Sequence, residues 1–158
     1  MAMSGWQAVK LVVNTLNLST LTGVLVALAG RARISRGPRG LFYATGYRPK
    51  FPVAGAFTIG NLILTKHDRA YFEEQPRLVR HEERHSWQYF CLIGLPMLPL
   101  YAVAAGWSFL RTGCPASRNI FERLADLADG SYTEHPVQPL GRTLSQAFSA
   151  LRSRPRER

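Results

Sequence analysis

The chain has 158 residues, enough for one domain with its own core, and 46% apolar with 19% charged residues excludes an intrinsically disordered protein. Lys and Arg number 20 against 10 Asp and Glu, a net charge of +10 that draws nucleic acid, anionic lipid or acidic protein non-specifically and names no function. The two cysteines, Cys91 and Cys114, form no CxxC pair and no disulfide framework; they read as buried free thiols in a reducing, cytoplasmic compartment.

In chain order, the spacing predicts a helix from Ser4 to Gly30, with Leu11, Leu18, Leu21, Val24, Leu25 and Leu28 as a wide core-facing stripe. Leu11 to Gly30 carries no charge, follows Lys10 and ends near Ala27-Leu28-Ala29, which resembles a secretory signal. Asn14, Thr15, Asn17, Ser19, Thr20 and Thr22 interrupt it, so a mostly buried helix is the leading reading, with a cleaved signal as the lesser alternative. Residues 31–40, with four arginines, are expected to be a basic loop. Leu41–Thr45 and Ala56–Thr65 are rich in β-branched and aromatic residues and predict strands, with Gly60-Asn61 as a bulge or tight turn.

Pro76, after Glu73-Glu74-Gln75, opens a helix running to about Ile93. Ser86 to Leu110 is uncharged, but Gly94, Pro96 and Pro99 divide it, so no single helix spans a membrane. A peripheral or partly embedded membrane contact stays open for both uncharged runs. Further helices are predicted over Leu100–Leu110 and Asn119–Ala128, the latter stopped by Gly130, and residues 152–158 read as a disordered basic tail. The expectation is therefore an α+β, predominantly helical single domain over residues 1–151, with a small sheet beside a metal-site core at 55–132.

Chemistry concentrates in His81-Glu82-Glu83-Arg84-His85, a match to HExxH within the Pro76 helix. Imidazoles four residues apart share a helix face and can bind one metal ion. Glu82 reaches a water on that metal without ligating it, and zinc would bring the pKa of that water to about 7. Downstream, Glu122-Arg-Leu-Ala-Asp126 offers a third ligand and, four residues on, a carboxylate that can orient a ligating imidazole.

With HExxH followed by ExxxD, the sequence resembles the gluzincin group of zinc metallopeptidases over about residues 55–132. It looks closest to minimal bacterial peptidase-like forms, since Gln88 extends the motif to HExxHxxQ and a Gly/Pro-rich apolar helix follows. The resemblance implies a zincin-like helix pair, one Zn²⁺ held by His81, His85 and Glu122, Glu82 as catalytic base, and Asp126 as partner of a histidine. It departs from many members where Phe121, not Asn, precedes the ligand Glu.

Other readings stand beside these. Asn119-x-x-Glu122 also fits a capping box, with Glu122 folding back on the N-cap amide and Asp126 merely exposed. The two histidines also fit a charged, solvated helix face. Tyr101, Tyr132 and His135 are the candidate oxyanion stabilisers, and Ala56–Thr65 a candidate strand for pairing with a substrate backbone. The leading expectation is a small zinc metallopeptidase-like hydrolase acting on peptides or unfolded segments. The alternatives are a non-catalytic zinc-site protein acting as a structural or partner-binding module, and a basic module meeting membranes or, only non-specifically, nucleic acid.

Overall fold

The computed structural model describes residues 3–52 and 54–139, so the basic tail expected at 152–158 lies outside the described residues. These carry six helices and a four-stranded mixed sheet: α1 (Gly5–Leu16), α2 (Ser19–Ala29), β1 (Arg33–Arg36), β2 (Phe42–Thr45), β3 (Ala56–Ile59), β4 (Leu62–Thr65), α3 (Ala70–Glu74), α4 (Pro76–Cys91), α5 (Met97–Thr112) and α6 (Ile120–Leu124). The sheet order is β1-β2-β4-β3, with β2 and β4 parallel and the other pairs antiparallel. Every residue of the central strand β4 is buried, whereas β3 lies at the edge, beside α4.

Gly60-Asn61 is the tight turn of the β3–β4 hairpin. Gly60 takes φ 62°, and a Cβ there would lie 2.4 Å from the Thr20 amide nitrogen, so only glycine fits. Asn61, fully buried, donates from Nδ2 to Thr20 Oγ1 at 2.8 Å and accepts from Asn14 Nδ2 and Ser86 Oγ at 3.1 and 3.0 Å. One side chain thus joins α1, α2, the hairpin and α4.

The first thirty residues depart from the single helix expected. The chain breaks at Asn17-Leu18, where Leu18 adopts φ 68°, and α1 and α2 are bent by 69°. The buried faces are the small and polar ones: Lys10 and Asn14 on α1, and Ser19, Thr20, Gly23 and Ala27 on α2. Gly23 lets α2 approach the hairpin closely, since a Cβ there would stand 2.6 Å from the Ile59 carbonyl oxygen. Leu18, Leu21, Leu25 and Leu28, expected in the core, face outward instead.

The basic stretch is also more ordered than expected. Ala32 N–H donates to the Ala27 carbonyl, and the turn at Pro38-Arg39-Gly40 folds residues 33–36 back on β2 as an edge strand. Both cysteines are free, but Cys91 is exposed at the end of α4 rather than buried. Among the described residues no single helix is long and apolar enough to cross a membrane, and only the bent α1–α2 pair passes that test jointly.

Candidate metal centre

Pro76 starts α4 where its missing N–H costs nothing, and the helix then buries Leu78, His81, Glu82, His85 and Tyr89 along one face. Leu78 and Val79 pack into the cluster of Leu41, Tyr43 and Ile63, while Tyr89 enters the cluster of Leu62, Leu64 and Met97. The two histidines therefore stand between apolar anchors on a rigid helix.

His81, His85 and Glu122 come together, all buried, each offering a ligand atom within 4.8 Å of the others, a group that could hold a metal ion. His81 Nε2 lies 3.1 Å from Glu122 Oε2 and 3.1 Å from His85 Nε2; His85 Nε2 lies 3.6 Å from Glu122 Oε1. The far side of each ring fixes its tautomer. His81 Nδ1 faces the carbonyls of Ala125 and Asp126 at 3.0 and 2.9 Å, which only accept, so it carries the proton. His85 Nδ1 faces Gln88 Oε1 at 2.8 Å, and because Gln88 Nε2 donates to the Phe121 carbonyl, this nitrogen is protonated too.

With Nδ1 committed elsewhere, both Nε2 atoms turn toward one carboxylate, where a neutral ring offers a lone pair to a cation and a protonated ring donates to Glu122. Among the described residues, buried Glu122 Oε2 has no donor while the His81 ring is neutral, and His81 Nε2 at 3.1 Å is the group that satisfies it on protonation; a cation can take the same place. Burial opposes charge on both imidazoles, but hydrogen bonding to Glu122 outweighs it and raises their pKa values above the ordinary histidine range. Burial likewise works against the Glu122 carboxylate, yet His81, His85 and the Tyr101 hydroxyl hold its pKa far below the usual range. The donor set of two nitrogens and one carboxylate fits a divalent cation.

Glu82 points across to the sheet, where Thr58 Oγ1 of β3 donates to its Oε2 at 2.7 Å. Burial pushes its pKa upward, against the pull of His85, His81 and Thr58. Tyr101 reaches in from α5 and donates its hydroxyl to Glu122 Oε1. The ring of Tyr132 stands 5.9 Å from that of His81. Burial, then Glu122, raises both phenol pKa values, so each keeps its O–H as a donor. His135 is exposed and is tied through its backbone to Ser117, not to this group.

The acidic helix ends earlier than its sequence suggests. Asn119 caps it by accepting from Phe121 N–H, but its own amide donates to the Ala116 carbonyl, so Glu122 is not folded back as in a capping box. The helix stops at Leu124 and Asp126 turns to φ 71°, which takes its carboxylate off the Glu122 face to cap Ala128 N–H at 3.1 Å. Asp126 therefore meets His81 through its carbonyl, which corrects the carboxylate role expected from the i+4 spacing.

Buried Asp129 anchors this loop instead, taking Arg77 at 2.9 Å and Arg84 at 3.0 Å, while Arg84 also donates to the Ala125 carbonyl at 2.7 Å. Gly130, expected as a helix stop, forms the wall of the site: a Cβ there would lie 2.6 Å from His81 Cε1. Gln88 was legible as the third position after His85, whereas Thr58 and Asp129 sit at separations no local motif encodes. Comparison with protein-family models, curated proteins and solved structures found no match.

Proposed function

We propose that this chain is a small zinc-dependent metallopeptidase-like hydrolase of gluzincin type. The observation that carries the reading is the convergence of His81 Nε2, His85 Nε2 and the Glu122 carboxylate, with buried Glu82 one residue round the helix from His81. Three protein ligands leave a fourth position for water or substrate, the pattern of catalytic rather than structural zinc. Zinc held there supplies Lewis acidity, making water nucleophilic near neutral pH and polarising a carbonyl.

This chain's own residues do the remaining work. Glu82 takes the proton of the attacking water and passes it to the leaving amine, and desolvation brings its basicity toward the working pH. Tyr132, or Tyr101 once its O–H leaves Glu122, donates to the oxygen on which charge develops. Thr58 holds the base, and among the described residues its strand β3 has an edge with no strand paired to it, on which an extended peptide could add. A helix α4 beside such an edge, with a later helix supplying the acidic ligand, fits the zincin arrangement. Peptides or unfolded segments suit so small a chain as substrates.

The test begins with elemental mass spectrometry on untagged protein. The expected result is about one zinc per chain, lost in His85→Ala and Glu122→Ala. Glu82→Gln keeps the zinc and lowers cleavage of an unfolded casein reporter at least a hundredfold, about the size of a general-base contribution. Zinc without cleavage in the parent chain would favour a non-catalytic, partner-binding role; no zinc after reconstitution would end both readings.

A further inference from the structure

Helices α1, α2 and α5 each turn an apolar stripe outward. On α1 it is Trp6, Val9, Val12 and Leu16; on α2, with Leu18 preceding, it is Leu21, Leu25 and Leu28. On α5 it is Leu100, Val103, Trp107 and Leu110, with Val103 72% exposed. All follow the three- and four-residue steps of one helix face, while Lys10 and Asn14 of α1 and Ser19 and Thr20 of α2 point inward.

The tips of these elements meet. Gly94, in the turn between α4 and α5, abuts Asn17, in the corner between α1 and α2. Leu18 and Ile93 flank that contact, each exposed and each in left-handed backbone, conformations that cost energy for such side chains. Trp6 and Trp107 each lie about ten residues, roughly 15 Å of helix, from this corner.

Positive charge borders the apolar area. Arg31 follows α2, and at the other end Trp107 runs into a groove of about 700 Å³ lined also by Arg111, Arg118, Arg123, Leu124 and Val137. Glu134 pairs with Arg118 and Arg123, but Arg111 has no carboxylate partner among the described residues and lies over the Trp107 ring. Among the described residues Arg118 Nε is buried without an acceptor. The groove therefore asks for an anion beside an apolar chain.

We propose that this face docks the protein on the surface of an anionic lipid bilayer, with a phospholipid headgroup phosphate on the arginines and the leucine, valine and tryptophan side chains in the acyl boundary. Neither α1 nor α2 alone is long enough to cross a bilayer, and with a 69° bend between them their exposed faces can lie along the interface. Along α5 the order Val103, Trp107, Arg111 is apolar, aromatic, cationic, the usual order of such interfaces. The proposal is independent of whether the site hydrolyses peptides.

The test is co-sedimentation of the full chain with vesicles of phosphatidylglycerol and phosphatidylcholine in equal parts, against phosphatidylcholine alone. Binding is expected on the anionic vesicles at about 0.1 M NaCl, with a fraction surviving at about 0.5 M because part of it is apolar. Leu25→Glu with Val103→Glu lowers partitioning at least tenfold, and Arg111→Glu about fivefold or more on anionic vesicles only, with far-UV circular dichroism unchanged. Brominated acyl chains quench the tryptophan emission, and Trp6→Phe with Trp107→Phe removes the quenching. Absence of binding, or binding that the Leu25/Val103 pair leaves intact, overturns the proposal. A dimer abolished by that pair, without vesicle binding, assigns the face to a second copy and overturns it equally.

Discussion

His81 and His85 both commit their Nδ1 protons to acceptors outside the cluster, so the capacity of the centre to hold a cation depends also on groups that would not touch it. Gln88 and Gly130 carry this most directly. Gln88→Leu leaves the His85 Nδ1–H and the Phe121 carbonyl without partners, which frees the ring to rotate. Zinc affinity is expected to fall 10- to 100-fold, the usual range for loss of such a supporting bond, read by competition with a chromogenic chelator. Gly130→Ala forces a Cβ against an imidazole already held by two carbonyls. The ring must tilt or the loop must move, at about 1–3 kcal/mol of stability, with weaker zinc binding in the same titration. A Gln88 variant that binds zinc like the parent would show that His85 is oriented by packing alone.

At the scale of elements, α1 is packed by a face that contains a charge. Lys10 is fully buried, its Nζ has no hydrogen-bond partner among the described residues, and Glu83 stands 3.9 Å away while holding Arg39 at 2.6 Å. Desolvation lowers its pKa to about 8 despite Glu83. The folded chain therefore binds fewer protons than the unfolded chain between about pH 8 and 10.5, and stability rises with pH across that window. Below pH 8 the penalty is present in full, on the order of 3 kcal/mol. Lys10→Met should raise stability at pH 7 by about 1–3 kcal/mol and flatten that rise, checked by urea denaturation at pH 7 and at about pH 10. The same helices mark what the sequence could convey. HExxH on a Pro-started helix was legible because its chemistry is position-specific, and Gly60-Asn61 because glycine and turn coincide. The outward leucines of α2 were not, because apolar periodicity defines a face without saying which way it points. Nor was the break at Leu18, since leucine carries no signal for left-handed backbone. The end of α6 escaped for a related reason: Ala125-Asp126-Leu127-Ala128 has good helix formers, and tertiary contacts to Arg84 and His81 pull their carbonyls away.

At the scale of the whole molecule, the centre joins parts of unequal solidity. The sheet and α4 share two apolar clusters, whereas α6 and the loop to Tyr132 attach to α4 largely through polar contacts: Glu122 to the histidines, Gln88 to the Phe121 carbonyl, and Arg84 to Ala125 and Asp129. A cation held by His81, His85 and Glu122 would cross-link these parts, and its removal would leave the Glu122 carboxylate buried against two imidazoles. Binding only the folded form, zinc at a hundredfold above its dissociation constant stabilises by about 2.7 kcal/mol. Chelation should therefore lower the melting temperature, but unevenly along the chain. Amide exchange measured by mass spectrometry should quicken over residues 116–132 and the facing part of α5, while β2 and β4 keep their protection. Uniform quickening would mean that the cation stabilises the core as a whole. No change anywhere would mean that hydrogen bonds alone hold α6 to α4, with the cation adding nothing to the fold.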